Sequence, residues 1–186
     1  MSVFPVYCTA EIPVQVAERF LSEALAGSNK LAPGSEPALA IVTTTRFSPS
    51  IASQPRLQPF SSPFLGQSVE EISRELDGAT FFAILDGRSM EDETALLATC
   101  DEDGTVQTAR VTFNYTQSLL VSLDIATLGF GEIQHIATSS GGVYGRNRET
   151  PQRGAPAPRK RLGRWCLWKE PRDSPKRSAC SSKEAW

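Results

Sequence analysis

Histidine occurs once in this chain, at position 135. A hydrolytic triad would have to be built around that single imidazole, yet no GxSxG elbow or reactive-cysteine context accompanies it. Cysteine is sparse as well: Cys8, Cys100, Cys166 and Cys180 lie scattered without a CxxC spacing. That pattern encodes neither a zinc ribbon nor a disulfide framework, and Cys8 and Cys100, each in a strand-like run, are expected to be buried, inert thiols. No GxxxxGK[ST] or GxGxxG loop is present, which disfavours nucleotide-dependent enzymes of those types. No apolar run approaches the ~18 residues of a membrane span. The N-terminus has no basic segment followed by an apolar stretch. A cytoplasmic protein without membrane association, cofactor or metal is the expectation, and the sequon Asn114-Tyr115-Thr116 is expected to be unused.

The charge that is present is divided unevenly. Residues 138–186 hold twelve basic against four acidic residues, a surplus of +8. Residues 1–137 hold seven basic against seventeen acidic residues, or −10, so the net charge of −2 is the sum of two opposite regions. An acidic body is a poor ligand for a phosphate backbone, which rewards Lys and Arg. The 138–186 segment adds Pro151, Pro156, Pro158, Pro171 and Pro175 and has little apolar surface to offset ordering entropy. It reads as a basic, disordered tail following a compact domain over 1–137. Arg159, Lys160, Arg161 and Arg164, then Lys176 and Arg177, are its candidate nucleic-acid or nuclear-targeting residues, with Trp165 and Trp168 available for stacking.

Periodicity outlines the body. Val3 to Thr9 is β-branched and aromatic, a first strand. Val14, Ala17, Phe20, Leu21, Ala24 and Leu25 recur at helical spacing behind Pro13, with Gly27 as the expected stop. Ala38 to Thr44 is continuously apolar, as in a strand covered on both faces. Residues 45–66, rich in Pro and Ser, read as a long loop, either a lid or an insertion. Ser68 and Glu71 have capping-box spacing ahead of a short helix with Val69, Ile72 and Leu76 on its buried stripe. Strands follow at 80–85, 94–100 and 106–113, the last two joined by the turn Asp101-Glu102-Asp103-Gly104. Leu119 to Ile125 reads as a final strand, and Leu128, Phe130, Ile133 and Ile136 as a closing helix. The resulting architecture is α/β, a mixed five- to six-stranded sheet with two or three packing helices.

The densest functional groups lie in the connection at 86–93. Asp86 ends a strand, where open α/β sheets place ligand-binding groups. Arg88 suits an anion, while Glu91, Asp92 and Glu93 suit a cation or acid–base work. The bland alternative is a solvated connection with an Asp86–Arg88 turn bond. His135 is expected at the surface, and the 101–104 turn lacks the later ligands of a calcium loop.

FFAILDGRSMEDETALLA at 81–98, RVTF at 110–113 and LLVSLDIATLGFGEI at 119–133 together resemble an uncharacterised microbial domain-of-unknown-function family. The resemblance implies a compact α/β domain and transfers no catalytic residue. The leading expectation is a non-catalytic binding or protein-interaction module with 86–93 as its contact surface, the partner left open and a protein one candidate. The alternatives are a small enzyme using the carboxylates and Arg88 at the sheet edge, and nucleic-acid association through the tail alone.

Overall fold

Five runs rich in β-branched, aromatic and small apolar residues become five strands. The computed structural model describes residues 2–45, 51–75, 80–101 and 104–146. Within them, β1 (Phe4–Cys8), β2 (Leu39–Ile41), β3 (Phe81–Leu85), β4 (Thr94–Cys100) and β5 (Val106–Thr112) form one sheet in the order β2-β1-β3-β4-β5. β1 pairs in parallel with β2 and β3, while β4 is antiparallel to both β3 and β5. The helices are α1 (Val14–Leu31), α2 (Val69–Glu75), α3 (Gly87–Asp92), α4 (Phe113–Asp124) and α5 (Phe130–Ser139). A mixed α/β sheet with packing helices is therefore the observed fold. No helix among the described residues is long and apolar enough to cross a membrane.

The central strands are apolar throughout because both of their faces are covered, and successive side chains point to opposite sides. Val6, Cys8, Ala83, Leu85, Ala95 and Leu97 join Phe20 and Leu21 of α1, Leu120 of α4 and Ile133 of α5 in one core. Tyr7, Phe82, Ile84 and Ala98 face the other way, against Ile72 of α2 and Phe64. Tyr7 meets Phe64 and Phe82 edge-on, with ring centroids 4.8 and 5.8 Å apart. Burial pushes the Cys8 thiol up to about 12, so it is inert at neutral pH.

Three sequence expectations are corrected. The apolar run 119–125, expected as a strand, belongs to α4 and the turn after it. Its buried stripe is Phe113, Thr116, Gln117, Leu120 and Leu123, a helical spacing that the polar Thr116 and Gln117 disguise. Gln117 can be buried because its amide accepts from the Ala38 N–H and donates to the Glu36 carbonyl, both at 3.1 Å. Second, Gly27 does not stop α1, which runs on to Leu31 and ends where extended Ala32 precedes Pro33. Gly27 instead lets α4 approach: a Cβ there would overlap the Asn114 carbonyl. Third, the body does not end at Ala137. α5 continues to Ser139, and Val143 and Tyr144 are buried beyond it.

Both rims of the sheet are occupied. At β2, the Ser53 N–H donates to the Leu39 carbonyl (2.8 Å) and the Ser53 hydroxyl accepts from the Ile41 N–H (2.9 Å). At β5, Tyr144 forms a parallel bridge with Val111, donating to the Arg110 carbonyl (2.8 Å) and accepting from the Thr112 N–H (3.1 Å). The Gln134 amide covers the Thr108 carbonyl at 3.1 Å. The expected long loop is irregular over 51–66, and its other described residue is Thr45. It is pinned by the Glu18 carboxylate, which accepts from the Arg56 and Leu57 N–H groups, and by Phe64 in the core.

Gly27→Ala should destabilise the fold by about 3 kcal/mol, the overpacking strain exceeding the ~1 kcal/mol that alanine gains in helix propensity. Urea denaturation checks this; a neutral or stabilising result would show that α1 and α4 can separate without cost.

Candidate functional site

The order β2-β1-β3 places a topological switch point between the carboxyl ends of β1 and β3, where open α/β sheets bind ligands. Here the 51–66 segment lies across part of that edge. The Ser62 hydroxyl donates to the Cys8 carbonyl (2.6 Å), and the Gly66 N–H donates to the Thr9 carbonyl (2.9 Å). A cavity of about 410 Å³ remains beside it, lined by Glu11, Phe60, Ser61 and Ser62 among others, and bordered by none of residues 86–93.

The 86–93 connection is corrected from a loop to a helix, α3. Asp86 is its N-cap: its carboxylate accepts from the Ser89 N–H at 3.0 Å, and the Ser89 hydroxyl accepts from the Asp86 N–H at 3.0 Å. This is a capping box with serine in the third position, a variant of the usual Glu or Gln pattern. The helix ends at Glu93, a left-handed residue (φ 56°) held by a hydrogen bond from the Phe113 N–H to its carbonyl (3.0 Å).

Each carboxylate then finds a cation, with one exception. Arg110, reaching from β5, forms a forked pair with Asp86: Nη1 donates to Oδ1 at 2.9 Å and Nη2 to Oδ2. The Arg110 side chain is only 12% exposed. Partial burial of Asp86 opposes its charge, but the hydrogen bonds and charge of Arg110, with help from Ser89, outweigh it and hold the carboxyl below its ordinary range. Asp92 behaves alike. Its Oδ2 accepts from Arg88 Nε (2.8 Å) and Arg146 Nη2 (3.0 Å), and its Oδ1 from the Thr94 hydroxyl. Desolvation is again outweighed, here by Thr94, Arg88 and Arg146, and the carboxyl is held low. Glu93 pairs with Arg19 of α1 at 2.9 Å. Nearby Glu23 is raised, by desolvation first and by Glu93 second, against the opposing pull of Arg19. Glu91 is exposed, and none of the described residues pairs with it.

The five residues singled out from sequence therefore lie on one short helix and its two caps but do not converge on a common point. The expected Asp86–Arg88 bond is replaced by Asp86–Arg110 and Arg88–Asp92. Sequence reasoning missed Arg110, Arg146, Arg19 and Thr94. A strand arginine among threonines was the available signal for Arg110, while nothing local marked Arg146. Among the described residues no group of three or more His, Cys, Asp or Glu is placed to hold a metal, and His135 is exposed on α5. Arg159, Lys160, Arg161, Arg164, Lys176 and Arg177 lie outside the described residues. Comparison of the chain with protein-family models, curated proteins and solved structures gives no match in any of the three.

Asp86→Asn keeps the helix cap and removes the charge facing Arg110, so it should cost about 2 kcal/mol at neutral pH by leaving a partly buried guanidinium uncompensated. Because the folded carboxyl is held low, its contribution is complete above the ordinary aspartate value of about 3.9 and is lost as pH falls through the depressed folded value. Denaturation of both proteins across pH should show the gap narrowing only below about pH 4; a constant gap would assign the loss to packing.

Proposed function

We propose that this protein is a non-catalytic interaction module, that α3 is its contact surface, and that its partner is another protein. One observation carries the reading: Asp86, Asp92 and Glu93 are each neutralised internally by arginine. A carboxylate whose pKa is held low is a weak proton acceptor, so Asp86 and Asp92 are poor general bases at neutral pH. None of the described cavities gathers them, as an enzyme of the sheet-edge type would require.

The same ion pairs, with the capping box, tie α3 to β5, to α1 and to the 143–146 segment, the kind of support a recognition surface needs. Arg88, Met90 (38%) and Glu91 are exposed on it, with Glu91 between the arginine and the methionine on the helix surface, an apolar anchor bordered by charge. The −10 charge of residues 1–137 favours a protein over a nucleic acid at this surface. The unpaired thiols of Cys8 and Cys100 suit a reducing, cytoplasmic setting.

Affinity capture with the wild-type chain, followed by titration of the identified partner against Met90→Glu, tests this. Affinity should fall at least about ten-fold, as for a central contact, while His135→Ala on α5 leaves it unchanged. A partner that binds Met90→Glu as tightly as wild type would remove α3 from the interface. Ester or phosphoester hydrolysis abolished by Asp86→Asn would replace the reading with an enzymatic one.

A further inference from the structure

We infer that the outer end of α3 is a receptor for one oxyanion, a carboxylate or phosphate group on the partner protein, held between Arg88 and Arg146. The inference rests on α3 being the contact surface and names the chemistry that surface would recognise.

The two guanidinium groups meet at a single atom. Arg88 Nε lies 2.8 Å and Arg146 Nη2 lies 3.0 Å from the same Asp92 oxygen, so the two nitrogens are no more than about 6 Å apart. Arg88 Nε has one N–H, which Asp92 takes, so an added oxyanion would accept from the Nη groups of Arg88 and the remaining donors of Arg146, which this shared anchor holds side by side. The count of charges is unequal: two cations face one carboxylate, whose other oxygen already accepts from Thr94. Each guanidinium carries five N–H donors, and among the described residues neither has a second acidic partner. The arginine side chains are about half exposed, at 49% and 43%, whereas Asp92 is 17% exposed and sits beneath them. The arrangement is a carboxylate-anchored pair of forks with one positive charge left over and donors open to solvent. Arginine is suited to this task because its planar fork matches oxyanion geometry.

The surrounding charges define the ligand further. Asp86 and Glu93 are neutralised by Arg110 and Arg19 and leave the site undisturbed. Glu91 is the one carboxylate of α3 with no cation among the described residues, and it sits three positions from Arg88 on the helix. It repels a dense acidic run and favours a single, isolated anion. Arg146 reaches the site because the preceding Tyr144 is bridged to β5, so the receptor is complete only while 143–146 is docked.

The test is a titration of the isotopically labelled full chain with inorganic phosphate, and separately with glutarate, at constant ionic strength. The Arg88 Nε–Hε resonance and the amides of 88–94 should shift together and saturate, with the tighter probe identifying the oxyanion. Arg146→Gln should weaken binding by about ten-fold and Arg88→Gln at least as much, the loss expected for one charge-assisted contact. Glu91→Gln should tighten it by about two- to three-fold. Both arginine variants alter partly exposed side chains, and unchanged spectra elsewhere would confirm that they fold. The inference is overturned if Arg88 fails to respond to either probe, or if Arg146→Gln binds as wild type does. A silent titration beside a Met90-dependent partner leaves the contact surface standing and removes the anion site; a saturating titration beside a Met90-independent partner does the reverse.

Discussion

A guanidinium that is nearly out of solvent must have its charge answered, and in this fold the answer organises the sheet edge. Arg110 stands on β5, its register partner on β4 is Leu96, and Leu96 in turn faces Ile84 on β3. Its side chain therefore crosses a strand to reach Asp86, two residues past Ile84. The desolvation cost of such a pair is offset only when the geometry is forked and the remaining lone pairs are satisfied, which Ser89 accomplishes. The backbone of the same arginine takes the Tyr144 N–H, so one residue registers both α3 and the 143–146 segment against the sheet. The directions of Asp92 and Glu93, and hence their arginine partners, follow from where Asp86 is held.

The elements that could be read along the chain were those whose information is local. Tyr7, Phe82 and Ile84 alternate with Val6, Cys8 and Ala83 in continuous apolar runs, and two-sided burial follows directly. The Ser68–Glu71 capping box forms as its spacing implies, with the Ser68 N–H donating to Glu71 at 2.7 Å. What could not be read was set by distant partners. Thr116 and Gln117 look like an interruption in an apolar pattern until Glu36 and Ala38 arrive to satisfy Gln117. Gly27 looks like a helix terminator until the Asn114 carbonyl is brought against it.

The candidate site divides along the same line. Its carboxylates were visible as a cluster because all four fall within eight consecutive positions, 86–93. Their cations were not, since Arg19, Arg110 and Arg146 come from α1, from β5 and from the segment after α5, and only Arg88 is local. Without those cations the cluster resembles acid–base machinery. With them it becomes a scaffold in which charge is spent on holding a short helix, of a length that is marginal in isolation, in one orientation.

The sealing of both rims has a consequence for the molecule in solution. Strand edges left bare invite pairing with other chains, and proteins of this architecture must blunt them. Here the blunting is done by a few residues, Ser53 on one side and Gln134 and Tyr144 on the other, Tyr144 lying only a few positions beyond the last helix. A chain cut after α5 would lose the Tyr144 backbone from the β5 rim and, with it, the Tyr144 ring that packs edge-on against Tyr115. The shortened chain would leave the Arg110 carbonyl and the Thr112 N–H open to another strand, so edge protection resides partly in a stretch that contributes almost nothing to regular secondary structure.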